Sequence, residues 1–83
     1  MDAVDREIIS LIATRVAYVR AAARYKPTED SVADPERRQK VLSTRRAWAE
    51  EAGLDGVAIE ALYRDLVTYC ISEEHKYWSS IKS

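Results

Sequence analysis

Two charged residues stand where the helical pattern calls for apolar ones. Val4, Ile8, Leu11, Ile12, Val19 and Ala22 recur at three- and four-residue steps, and Arg15 falls on the same stripe, four residues after Leu11 and four before Val19. Near the other end of the chain Glu74 lies on the stripe formed by Ile59, Tyr63, Leu66, Cys70, Tyr77 and Ile81. Charges on inward faces are costly unless paired and hydrogen-bonded. An arginine and a glutamate on the inner faces of two helices therefore predict a polar cavity within a helical core, with an anion as the arginine's partner. Lys26 stands where the first helical pattern breaks into a polar stretch, and Arg37 opens the next helical pattern at the far end of that stretch. Two ends of one loop can face one cavity. Three cations and one carboxyl group, with no cysteine–histidine pair, no activated serine and no metal-ligand spacing, suit the binding of a small polyanion. The chemistry open to such a site is electrostatic. Fixed donors stabilise charge developing on an oxygen, and confinement selects the reactive conformer.

These side chains must be positioned by helices. The period is unbroken from Asp2 to Arg24 or Tyr25, and Pro27 ends it because the residue before a proline is pushed out of the α region. Lys26 to Ala33 is polar and turn-forming, a loop of a length more often functional than not, expected to be mobile when empty and ordered over a bound anion. Asp34 is an N-cap, Pro35 suits the first helical position and Glu36 complements the positive end of the helix dipole. The second helix runs to about Glu51 with Gly53 as its stop, and Asp55 caps a third helix reaching Ile81. The first and third helices are about 23 to 26 residues, roughly 35 to 39 Å long. A three-helix monomer cannot cover them, so the expected fold is all-α: two long helices and one shorter, in an intertwined homodimer.

The totals agree with a single domain spanning residues 1–83, small enough to gain from oligomerisation. Hydrophobic residues make up 47% and charged ones 33%, with two glycines and two prolines, which excludes a disordered or fibrous chain. Thirteen basic residues against fourteen acidic ones leave a net charge of −1, giving no global field for nucleic acid. No apolar run of membrane-spanning length occurs. The single Cys70 reads as a small core residue and is compatible with a reducing cytoplasm. His75 reads as a surface or interface residue. Trp48, Trp78 and the five tyrosines read as core and dimer packing, and Arg45 and Arg46 as solvating the second helix.

VDREIISLIATR at residues 4–15, YVRAAARYK at 18–26, DPERRQKVL at 34–42, RRAWAEEAGLD at 45–55 and ISEEHKYW at 71–78 together resemble the all-helical chorismate mutase family. The similarity is greatest to its isochorismate pyruvate lyase branch, which serves salicylate and siderophore synthesis. The resemblance covers nearly the whole chain. It implies an intertwined dimer with two equivalent active sites and no cofactor or metal. The activity it implies is pericyclic: loss of pyruvate from isochorismate to leave salicylate, with secondary rearrangement of chorismate to prephenate. Arg15 matches the arginine that binds a substrate carboxylate, and Lys26 the lysine that contacts a carboxylate and the ether oxygen of the breaking C–O bond. Arg37 matches the arginine that opens the second helix beside the substrate. Glu74 matches a position, often glutamine, that donates a hydrogen bond to the ether oxygen, which implies a protonated carboxyl with a pKa raised by burial.

The family pattern departs at two places. A further first-helix arginine, given across the dimer to the partner's site, aligns two residues before Met1, so either upstream sequence supplies it, or a group such as Arg6 covers part of its role, or the protein is a poor catalyst. Arg38 stands where dedicated chorismate mutases can have a glutamate that contacts the substrate hydroxyl. The alternatives to the lyase are a dedicated chorismate mutase and, in another class, a catalytically weak helical dimerisation or regulatory module.

Overall fold

A computed structural model describes residues 1–25 and 34–82, in the order α1 (Asp2–Ala23), α2 (Pro35–Glu51) and α3 (Gly56–Lys82). The described residues are helical with no strand. The expected loop from Lys26 to Ala33, its closure over an anion, and Lys26 itself lie outside the described residues.

Local chemistry sets the helix ends. At the start of α2 the Asp34 carboxylate accepts from the backbone N–H of Glu36 at 3.1 Å and of Arg37 at 3.2 Å, and Pro35 fills the first position, where no N–H is needed. At its end Gly53 takes φ +82°, the left-handed conformation glycine adopts without a Cβ penalty. The Leu54 N–H then reaches the Ala49 carbonyl at 2.8 Å and the Gly53 N–H reaches that of Glu50 at 3.0 Å, the paired bonds of a Schellman stop. Asp55 caps α3 through the N–H groups of Val57 at 3.0 Å and Ala58 at 3.3 Å. α1 ends at Ala23, a residue or two short of the sequence expectation, with Arg24 as its C-cap.

The chain divides into two compact units, Met1–Val32 with Cys70–Ser83, and Ala33–Tyr69. In the first, Val16, Ala23, Cys70 and Glu74 are buried. Two side-chain ties join its helices: Arg20 Nη2 approaches Glu73 Oε1 at 3.9 Å, and Arg24 donates through Nε and Nη2 to the Tyr77 hydroxyl at 3.2 and 3.0 Å. Both ties join residues 53 apart, so α1 and the end of α3 run parallel. In the second unit Val41, Leu42, Ala49 and Val67 are buried. There Arg46 reaches Glu50 at 3.4 Å and Glu60 at 3.2 Å, while Arg64 reaches Glu60 at 3.1 Å. Gly56 lies under this cluster: a Cβ on it would stand 2.6 Å from Glu50 Oε1 and 2.9 Å from Arg46 Cγ.

Several positions depart from the periodicity. Val4, Ile8 and Leu11 are 53%, 49% and 66% exposed, and Ala22 is exposed while Ala23 is buried. The period identifies the apolar face of α1, but this chain covers only its second half. Trp48 is exposed in the single chain, and the guanidinium of the half-buried Arg45 lies 4.6 Å from its ring centroid. Arg46 cross-links the helices of its unit instead of merely solvating α2. Tyr18, Tyr25 and Tyr69 are exposed.

Candidate active site

Arg15 is half-buried, and among the described residues its guanidinium has no hydrogen bond and no ion pair. Its neighbours along the inward face of α1, Ile12 and Val19, are half-buried and Val16 is buried. A partly desolvated guanidinium that no carboxylate balances is suited to an anion from outside the chain.

Glu74 belongs to the same unit and is, among the described residues, the one charged residue that is buried, 7% exposed, one turn beyond Cys70 at 2%. Glu73 also faces partly inward, its side chain 18% exposed, and Arg20 approaches it. Of these two neighbouring glutamates, Glu74 is the more buried. The 53-residue register of the Arg20 and Arg24 ties sets Glu74 level with residue 21, six residues above Arg15. At 1.5 Å per residue the axial separation of Arg15 and Glu74 is about 9 Å. Long side chains from both can meet on a small molecule within that span.

Arg37 belongs to the second unit and is exposed; its backbone N–H serves the Asp34 cap, and its guanidinium has no partner among the described residues. Lys26, the fourth expected site residue, lies outside the described residues. Two features escaped the sequence. Arg24 and Tyr77 form a fork across 53 residues that no helical period reveals, and the Tyr77 hydroxyl bond raises the already high Arg24 pKa. Arg38, one position beyond Arg37, is half-buried and donates from Nη2 to Thr68 Oγ1 at 2.8 Å. Its place in the charged run ERRQK gives no sign of that.

Residues 1–75 match the family described as chorismate mutase type II. The chain belongs to that family. Among curated proteins, the isochorismate pyruvate lyase of Pseudomonas aeruginosa is 38% identical over 78 residues, which cover 94% of this chain and 77% of that relative. This chorismate mutase-family chain is therefore similar to a lyase of that branch along nearly its whole length. Family membership makes an enzyme acting on a chorismate-like small molecule the coarse functional assignment. No helix among the described residues is long and apolar enough to cross a membrane.

Proposed function

We propose that this chain is an isochorismate pyruvate lyase, converting isochorismate to salicylate and pyruvate, with chorismate mutase activity as a secondary reaction. The observation that carries the reading is Arg15: half-buried, on the inward face of α1, and balanced by no carboxylate among the described residues. The relative's activity supports the choice of reaction.

The mass balance defines what the site must do. The side chain of isochorismate ends in a methylene and pyruvate ends in a methyl, so one ring hydrogen passes to that methylene carbon as the ether C–O bond breaks. The ring electrons left behind complete the aromatic salicylate. Nothing is oxidised overall, and no group is transferred to the protein. In this reading Arg15 clamps one substrate carboxylate, and Lys26 contacts a carboxylate and the ether oxygen. Arg37 adds charge beside the substrate. Negative charge grows on the ether oxygen as the bond lengthens, so donors fixed at that oxygen bind the transition state more tightly than the ground state. Glu74 serves as one such donor only when protonated, and its burial opposes the charged form. The arrangement uses no metal or cofactor.

The exposed apolar residues Val4, Ile8 and Leu11 support an intertwined homodimer, in which a partner covers the first half of α1. The one cysteine, Cys70, is free and buried, which suits a reducing cytoplasm. Incubation of the protein with isochorismate and with chorismate, in separate reactions, tests the assignment. Salicylate fluorescence growing faster than prephenate forms supports the lyase; prephenate alone makes the chain a dedicated mutase. Neither product makes it a helical module without catalysis.

A further inference from the structure

Within the first unit, Glu74 lies between the levels of two cations. Arg20 approaches Glu73 at 3.9 Å, and Arg24 donates to the Tyr77 hydroxyl at 3.2 and 3.0 Å. In that 53-residue register Glu74 is level with residue 21, so along the helix axis it stands about 1.5 Å above Arg20 and about 4.5 Å below Arg24. Long side chains on a helix lean toward its N-terminus, which inclines Arg24 toward the level of Glu74. Both guanidinium groups cross to α3, yet neither pairs with the Glu74 carboxyl. The other charged or titratable groups near that level, among the described residues of this unit, are Arg15, Tyr18 and Tyr25 from the α1 side and Cys70, His75 and Lys76 on α3. Of the cations among all these, Arg20 and Arg24 are the ones tied across from α1.

What holds those two differs. Glu73 is an anion and balances Arg20, whereas the Tyr77 phenol is a neutral acceptor that fixes the direction of the Arg24 guanidinium and leaves its charge intact. Arg24 is exposed, Tyr77 half-buried and Glu74 buried, so the phenol keeps the cation at the rim above a buried carboxyl. A carboxylate is a stronger acceptor for a guanidinium than a phenol, and burial strengthens the attraction further.

We propose that Tyr77 is a positioning residue: by holding Arg24 at the rim it keeps that cation off Glu74, and so preserves the neutral carboxyl that donates to the substrate. The proposal rests on the reading of Glu74 as a neutral donor. A guanidinium beside a carboxyl favours its charged form. Without the phenol oxygen, Arg24 turns to Glu74 and the neutral donor is lost at a lower pH.

The direct readout is the 13C signal of the Glu74 carboxyl in the full chain labelled at glutamate, assigned by its loss in Glu74→Gln and followed through a pH titration without substrate. Melting temperatures check that each variant is folded. In Tyr77→Phe the Glu74 midpoint falls by about one pH unit. Adding Arg24→Gln to Tyr77→Phe returns the midpoint to wild type, which a loss of packing at Tyr77 would not allow. Arg24→Gln alone leaves it near wild type. An unmoved midpoint in Tyr77→Phe, or a double variant that stays with the single one, overturns the proposal. So does an Arg24→Gln midpoint raised as far as Tyr77→Phe is expected to lower it, because the guanidinium would then act on Glu74 with the phenol in place; this measurement decides alone if Tyr77→Phe does not fold. With isochorismate, the pH at which kcat declines moves down in Tyr77→Phe and back in the double variant, and a profile that ignores the shifted midpoint overturns the link to the reaction. Lys26 is unchanged in every variant, so the differences report Arg24. The carboxyl titration needs no turnover: a chain that forms neither product refutes the lyase reading and leaves the test of Tyr77 standing.

Discussion

Replacing Arg15 by methionine should make the protein more stable and much less active. Methionine keeps the unbranched length and a comparable helix propensity, so the backbone of α1 is undisturbed. Arg15 is half-buried with no anion among the described residues, so folding strips part of its hydration with no return from an ion pair. Substituting apolar groups for buried ionic ones gains about 1–4 kcal/mol, and the lower end applies to a half-exposed site. A gain of about 1 kcal/mol corresponds to a rise of about 4–8 °C in Tm for a domain of this size. On the functional side, a bidentate clamp on a carboxylate comprises two charge-assisted bonds of about 1.5–3 kcal/mol each. Discounted for partial exposure, about 3 kcal/mol is lost, a fall of about 150-fold in kcat/KM. Thermal and urea denaturation without substrate, at one protein concentration, measure the first quantity, and salicylate fluorescence the second. A destabilisation of 2 kcal/mol or more would show that Arg15 is paired within the folded assembly, and unchanged kcat/KM would remove it from the site.

Other perturbations follow from the same structure. With Glu74 required as a donor, the enzyme with a neutral Glu74 is the active form, so the rate should be lower at pH 8 than at pH 5. Glu74→Gln should hold its rate across pH 5 to 8, and a wild-type profile already flat over that range would rule out the donor role. Gly56→Ala places a Cβ 2.6 Å from Glu50 Oε1 and 2.9 Å from Arg46 Cγ, and should cost about 1 kcal/mol by displacing the Arg46–Glu50–Glu60 cluster despite alanine's better helix propensity. Urea midpoints check this, and a stabilised variant would contradict it. Leu11, 66% exposed in the single chain, should be covered in a dimer. Leu11→Glu should shift the sedimentation-equilibrium mass toward one chain and lower activity with it; a wild-type protein that sediments as a monomer at tens of micromolar would exclude the dimer.

What the sequence revealed was what local chemistry dictates. The Asp34–Pro35 start of α2 and the Gly53 stop were legible because capping bonds span only a few residues. Glu74 was legible as the wrong polarity on an apolar stripe, and it is the buried charged residue among those described. That a single chain leaves part of α1 uncovered was legible from the helix length, but what lies against it was not. A period shows which face is apolar, not what lies against it, and Val4, Ile8 and Leu11 are exposed in the single chain. Arg38 was hidden for the opposite reason: inside a run of charges a half-buried guanidinium looks like a solvated one. The Arg24–Tyr77 fork joins residues 53 apart, a distance across which only the folded backbone carries information.

Turnover of isochorismate in D2O tests most directly the claim that this site works by clamping and confinement, with the ring hydrogen passing straight to the side chain. The 1H NMR signal of the pyruvate methyl group, read before it exchanges with solvent, reports the origin of that hydrogen. The account predicts salicylate and pyruvate in equal amounts with an undeuterated methyl group. A methyl group carrying one solvent deuterium, or no pyruvate at all, would contradict it.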